Sequence, residues 1–131
     1  MGSAMPPDES RDQRGALGRR GERLAADFLR QHGHTIIQQN YRKKYGEIDI
    51  ITRDGDTLVF VEVKTRTSQR YGGAAAAVTP KKQRQITKAA LEYMCGQPSQ
   101  TAARFDVLCV NIDAAGRIEF SLIENAFEAA L

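Results

Sequence analysis

Tryptophan is absent from these 131 residues, and cysteine occurs only twice, at Cys95 and Cys109. The two cysteines stand in dissimilar contexts without CxxC spacing, which excludes a disulfide framework and a thiolate zinc site. Histidine is equally scarce, with His32 and His34 crowded around an expected helix stop, so no zinc pair and no histidine chemistry is assigned. No apolar run approaches the roughly 20 residues of a membrane-spanning helix. The N-terminus also lacks the apolar centre of a signal peptide. These absences predict a chain without a membrane partner and with a cytoplasmic location. The excess of one charge sign is small too, with 19 Lys and Arg against 16 Asp and Glu, a net +3.

That small excess hides an uneven distribution. Bases gather in Arg11–Arg23, Arg42–Lys44, Lys64–Arg70 and Lys81–Lys88, while Glu119, Glu124 and Glu128 make the C-terminal end acidic. A polyanion would meet one side of such a molecule. The length suits one domain with a single hydrophobic core. Residues 1–15 are rich in Pro, Ser and charge and read as a flexible arm, whose Met1-Gly2-Ser3-Ala4-Met5 start has the look of an expression scar. Residues 16–131 form the expected domain.

Gly46–Arg66, GEIDIITRDGDTLVFVEVKTR, reads as a hairpin with Asp54-Gly55 as its turn. Strand alternation puts Ile48 and Ile50 on one face, and Glu47, Asp49 and Ile51 on the other. In the second strand Val59, Val61 and Val63 oppose Leu58, Phe60, Glu62 and Lys64; apolar residues on both faces mark the middle of a covered sheet. A two-residue loop at Asp54-Gly55 sets Glu47 opposite Glu62, whereas a four-residue loop through Thr57 sets Asp49 opposite it. In either register an Asp, a Glu and a Lys converge, with neighbours roughly 5–8 Å apart. Two carboxylates held together repel and resist desolvation, so a divalent cation and the Lys64 ammonium would suit them. The competing reading is a half-exposed hairpin whose Glu62 and Lys64 form a solvated pair worth little.

A first helix is expected from about Leu17 to Gln31, with Leu17, Leu24, Ala25, Phe28 and Leu29 on one stripe and Gly33 as its stop. Glu22 lies at the edge of that stripe, leaning over the sheet or pairing with Arg19 or Arg23. Thr79-Pro80 opens a second helix as N-cap and first helical residue. Its stripe is Ile86, Ala89, Ala90, Tyr93 and Met94. Lys81, Arg84 and Lys88 project away toward solvent or phosphate, and Lys82 and Gln85 flank the stripe. Arg104–Asn111 and Arg117–Ile123 form a further strand pair around Asp113–Gly116, in which Asp106 suits a structural carboxylate.

Asp49 followed by Glu62-Val63-Lys64 on the adjoining strand resembles the PD-(D/E)xK nuclease signature, with Ile48 standing before Asp49 where the name places proline. Together with Gly46-Glu47-Ile48-Asp49, Phe60–Arg66, Tyr71-Gly72-Gly73-Ala74-Ala75, Lys82-Gln83 and Arg104-Phe105-Asp106-Val107, the chain from about Gly18 onward is similar to the YraN-type family of small bacterial proteins. That family is described as endonuclease-like and related by fold to Holliday junction resolvases. The resemblance implies an α/β, restriction-endonuclease-like core, a mixed central sheet flanked by helices in αβββαβ order with an extra strand. It also implies metal-dependent cleavage of DNA, with branched recombination intermediates as candidate substrates. Asp49, Glu62, the Val63 carbonyl and Glu22 would hold Mg²⁺ or Mn²⁺, and Lys64 would orient the attacking water, so that Asp49, Glu62, Lys64 and Glu22 make up the implied catalytic set. Arg42, Lys43, Lys44, Arg66, Arg70, Lys81, Lys82 and Lys88 would meet the phosphates, and symmetric cuts in a branched substrate would call for a homodimer. The alternative is a catalytically silent nucleic-acid-binding module or adaptor with the same residues.

Overall fold

The apolar runs between Thr35 and Phe127 become five strands, and the two amphipathic segments become one helix on each face of the sheet. The protein is described by a computed structural model covering residues 7–67 and 78–130. The elements are α1 (Pro7–Gln31), β1 (Thr35–Lys43), β2 (Gly46–Asp54), β3 (Thr57–Arg66), α2 (Pro80–Met94), β4 (Ala103–Ile112) and β5 (Ile118–Phe127). Strand order follows chain order, β1 to β5. The first three strands are an antiparallel meander, β3 and β4 are parallel, and β5 returns antiparallel to β4. The parallel pair β3–β4 spans α2, as a parallel connection requires a crossover. The fold is therefore α/β, a five-stranded mixed sheet between two helices, consistent with a restriction-endonuclease-like core. Arg70 and the Tyr71–Ala75 stretch lie outside the described residues.

Each sheet face carries its own core. Ala25, Ala26 and Leu29 of α1 pack on Ile50, Val59, Val61, Leu108 and Val110. Ile86, Ala89 and Ala90 of α2 pack on Tyr41, Ile48, Ile51, Phe60, Val107 and Cys109. β3 thus buries apolar side chains on both faces, as its composition predicts. Burying each such Val, Leu or Ile contributes about 1.5–3 kcal/mol, so the inner strands anchor whatever their ends display. Thr79 caps α2, its hydroxyl accepting the Lys82 N–H at 3.2 Å, and Pro80 opens the helix. Cys109 is buried and Cys95 exposed, both as free thiols.

Four expectations are revised. Helix α1 begins at Pro7 rather than near Leu17; proline is well suited to a first helical turn, where its missing N–H has no partner to lose. The β2–β3 turn is Gly55-Asp56, because Asp54 pairs with Thr57 and Arg53 with Leu58. Gly55 has φ +60°, and a glycine at the first central position suits a turn that matches strand twist. Ile48 and Ile50 do not share a face: Ile48 joins the α2 side and Ile50 the α1 side. The β1–β2 ladder pairs Gln39 with Ile50 and Tyr41 with Ile48, leaving out Asn40 and Asp49. Asn40 has φ +53°, a left-handed conformation that asparagine tolerates better than most residues, and the irregularity resets the alternation at Asp49. Finally, β5 extends past Ile123 to Phe127 through a second irregularity, here a shift of register between Phe105 and Val107. The β4–β5 ladder passes from Phe105↔Phe127 to Val107↔Ile123, and Asn125 has φ +51°.

The second irregularity explains Asp106. Its carboxylate is fully buried. Oδ1 accepts the Asn125 N–H at 3.1 Å, and the Arg104 guanidinium donates to both oxygens while reaching Asp54 at 3.0 Å. Asp106 is a structural carboxylate that closes a gap in the sheet.

Candidate active site

The backbone pairing of β2 with β3 ends at Ile50↔Val61. Beyond it the strands fork, and the Asp49 Oδ2 accepts the Val63 N–H at 2.8 Å. The side chain thus takes a donor that the ladder no longer satisfies. The register of Arg53 opposite Leu58 directs Asp49 toward Glu62, the second of the two registers weighed from sequence, and the two carboxyls are close enough to hydrogen-bond each other.

Two helices close on this fork through glycine contacts. At Gly21 of α1 a Cβ would collide with the Thr65 side chain, and at Gly46 of β2 one would collide with the Gln85 carbonyl of α2. The first contact brings Glu22, the next residue along α1, over the fork. Leu17, Gly18, Glu22, Asp49, Glu62, Val63 and Thr65 line one cleft of about 420 Å³. Glu22 therefore leans over the sheet, as one of its two sequence readings had it. The second contact holds α2 against β2, and Lys82 Nζ stands 4.0 Å from Glu62 Oε1. Lys82, expected to meet phosphate, also faces a carboxylate.

The electrostatics show negative charge in excess. Burial first, then the charge of Asp49, pushes the Glu62 carboxyl up to about 8 against the pull of Lys82 and Lys64. Burial also raises Asp49, opposed by the Val63 N–H and the Glu62 hydrogen bond. Glu22 is raised by burial and then by Asp49, with a hydrogen bond from Asn40 pulling the other way. Lys64 lies beside Cys109 in the parallel register, and its charge acts on Glu62 more weakly than that of Lys82. Clustered carboxyls whose proton affinity burial raises, Glu62 most of all, fit a hard divalent cation, which replaces the proton and relieves the repulsion. The side-chain donors are few: among the described residues no three His, Cys, Asp or Glu side chains close on one point. A cation here would be held by Asp49, Glu62 and main-chain oxygen, with water completing its coordination, as suits Mg²⁺.

Beside the fork lies a basic cleft of about 540 Å³. Lys43, Lys44, Tyr45 and Gly46 of the β1–β2 turn line one side, and Lys81, Lys82, Arg84, Gln85 and Lys88 of α2 line the other. Two basic runs nearly 40 positions apart in sequence thus become one surface. Arg42 is outside this cleft, exposed and 3.5 Å from Glu47. Arg66 is half-buried at the end of β3, where it pairs in register with Asn111. Its Nε and the Asn111 Oδ1 are buried without a hydrogen-bond partner among the described residues. Arg66 is thus displayed less openly than a surface phosphate contact would be.

Two residues at this site, Tyr45 and Asn40, fall outside the sequence motifs. Tyr45 had a visible signal, an aromatic between two lysines and a glycine; Asn40 had none, because its left-handed backbone arises from the pairing of two strands.

Residues 21–110 match the profile of the uncharacterised protein family UPF0102. A UPF0102 protein of Geobacter metallireducens is 50% identical over 117 residues, covering 88% of this chain and 94% of its own length. One from Syntrophus aciditrophicus is also 50% identical, over 86% of this chain and 89% of its own length. One from Nitrosomonas europaea is 43% identical over 87% and 95%. The profile includes the fork, Glu22 and both walls of the basic cleft, and this chain belongs to the UPF0102 family.

Proposed function

We propose that the protein is a metal-dependent endonuclease that hydrolyses phosphodiester bonds in DNA. The observation that carries this reading is the fork: Asp49 and Glu62 lie side by side at the end of a strand pair, both raised in proton affinity by burial and Glu62 further by the Asp49 charge, next to a cleft walled by lysines. Mg²⁺ or Mn²⁺, when bound, supplies Lewis-acid activation of the phosphoryl group and of a water. The chain does the rest. The Val63 N–H fixes one oxygen of Asp49, which orients the other; Asp49, Glu62, the Val63 carbonyl and Glu22, which share one cleft, would hold the ion. Lys64 orients the attacking water and offsets charge that develops on the phosphoryl oxygens. Lys82 balances Glu62 in the resting site, and the lysines of the cleft hold flanking phosphates.

The test is a cleavage screen over branched, duplex and single-stranded DNA with Mg²⁺ and Mn²⁺, with Asp49→Ala and Glu62→Ala in parallel. Metal-dependent cleavage by the parent that both variants lose is the expected result; cleavage that survives both substitutions refutes the site. A second reading, a silent nucleic-acid-binding module, is favoured by the small number of side-chain ligands. Salt-dependent DNA binding without cleavage of any substrate would select it.

A further inference from the structure

Tyr45 is the most exposed of the large hydrophobic side chains among the described residues, at 64%. It occupies the tip of the β1–β2 turn and lines the basic cleft. Two ammonium groups flank its ring, Lys44 Nζ at 5.4 Å and Lys88 Nζ at 5.9 Å from the centroid. Four residues earlier, Tyr41 shows the alternative fate of an aromatic on this hairpin: it is buried, edge-on to Tyr93. Tyr45 stacks on no aromatic among the described residues, yet its turn is not loose, because Gly46 is pressed against the Gln85 carbonyl of α2. The result is a solvent-facing ring approached by two ammonium groups, on a turn held against α2 and in the same cleft as Lys82, which reaches Glu62.

Lysines alone suffice to hold phosphates, and a closed duplex offers no free base face to a side chain. An aromatic ring set among phosphate-binding lysines is the arrangement that stacks on an unpaired base while the neighbouring cations track its backbone. We infer that Tyr45 is a base-stacking platform that selects DNA carrying unpaired nucleotides next to the carboxylate fork. This rests on the nucleic-acid reading above and narrows it, since substrates with single-stranded or splayed segments are then preferred over continuous duplex.

The experiment measures binding by fluorescence anisotropy in metal-free buffer, where no cleavage takes place. The probes are a labelled oligothymidylate, an abasic strand of the same length and a blunt hairpin duplex, each with the parent, Tyr45→Phe and Tyr45→Ala. The parent should bind the oligothymidylate roughly 10- to 100-fold more tightly than the abasic strand, the range expected of one stacked base. Tyr45→Phe should keep that preference and Tyr45→Ala should lose it, with the abasic and duplex affinities unchanged. Equal binding of base-bearing and abasic strands by the parent, or an undiminished preference in Tyr45→Ala, overturns the platform and leaves phosphate binding standing. A parent that binds none of the probes overturns the platform together with the nucleic-acid reading beneath it. Because the Tyr45 ring is exposed, the alanine change leaves the core intact, and a circular dichroism melt checks that.

Discussion

Replacing Glu62 with glutamine keeps the shape of the side chain and its hydrogen bond to Asp49 but removes its titration. Burial and the Asp49 charge move the parent carboxyl from an ordinary 4.5 to about 8. The unfolded chain therefore releases this proton near pH 4.5 while the folded chain holds it to about pH 8, so the folded state binds the extra proton in between. Stability of the metal-free protein falls as pH rises through that window. A more than thousandfold difference in proton affinity corresponds to at most roughly 4–5 kcal/mol, at about 1.4 kcal/mol per tenfold. The Glu62 side chain is 12% exposed and Asp49 shares the proton, so a loss of roughly 2–4 kcal/mol is expected, because coupled groups titrate as a pair. For a chain of this size that amounts to about 10 °C in melting temperature. Thermal and urea melts in a chelator at pH 5 and pH 8.5 should show this loss in the parent and a much flatter profile in Glu62→Gln, which should be the more stable of the two at the higher pH. Saturating Mn²⁺ should flatten the parent profile as well, since the cation takes the place of the proton. Equal pH slopes in parent and variant, or no slope in the parent, would refute the account of a charge-strained fork.

Lys64→Met should leave Mn²⁺ and DNA affinity nearly unchanged while single-turnover cleavage falls by roughly two to four powers of ten, the range for loss of a proton-transfer or charge-stabilising group; equal rates would remove Lys64 from the chemistry. Lys81→Glu and Lys88→Glu, on the solvent side of α2 and lining the cleft, should each flatten the log–log salt dependence of duplex binding by about 0.9, and an unchanged slope would take the phosphates elsewhere. Asp106→Ala removes the acceptor of Arg104 and of the Asn125 N–H and should destabilise the fold by roughly 3–5 kcal/mol, as for any broken buried ion pair. A urea titration reads this directly, and a change below about 1 kcal/mol would contradict the structural role.

Local pattern determined much of this protein. Alternation with apolar residues on both faces marked β3 as a central strand, Thr79-Pro80 placed the start of α2, and the apolar stripe of Leu24, Ala25, Phe28 and Leu29 placed the buried face of α1. These features depend on a residue and its near neighbours, because side-chain period and capping are short-range properties. The same locality brought Asp49 and Glu62 to one region and left two registers open between them. Tertiary structure decided the rest. Whether Arg53 faces Leu58, and hence which acid meets Glu62, depends on how the turn fits the twist of the paired strands. The reset of alternation at Asp49 depends on Asn40 in a different strand, and the placement of Glu22 on the contact of Gly21 with Thr65. Lys82 became a partner of Glu62, and the lysines near Tyr45 became one cleft with those of α2, only because Gly46 lets that helix lie directly on β2. Contacts of this kind join residues distant in sequence, and no period or propensity carries them; they are set by close packing and by the requirement that each buried N–H and carboxylate find a partner.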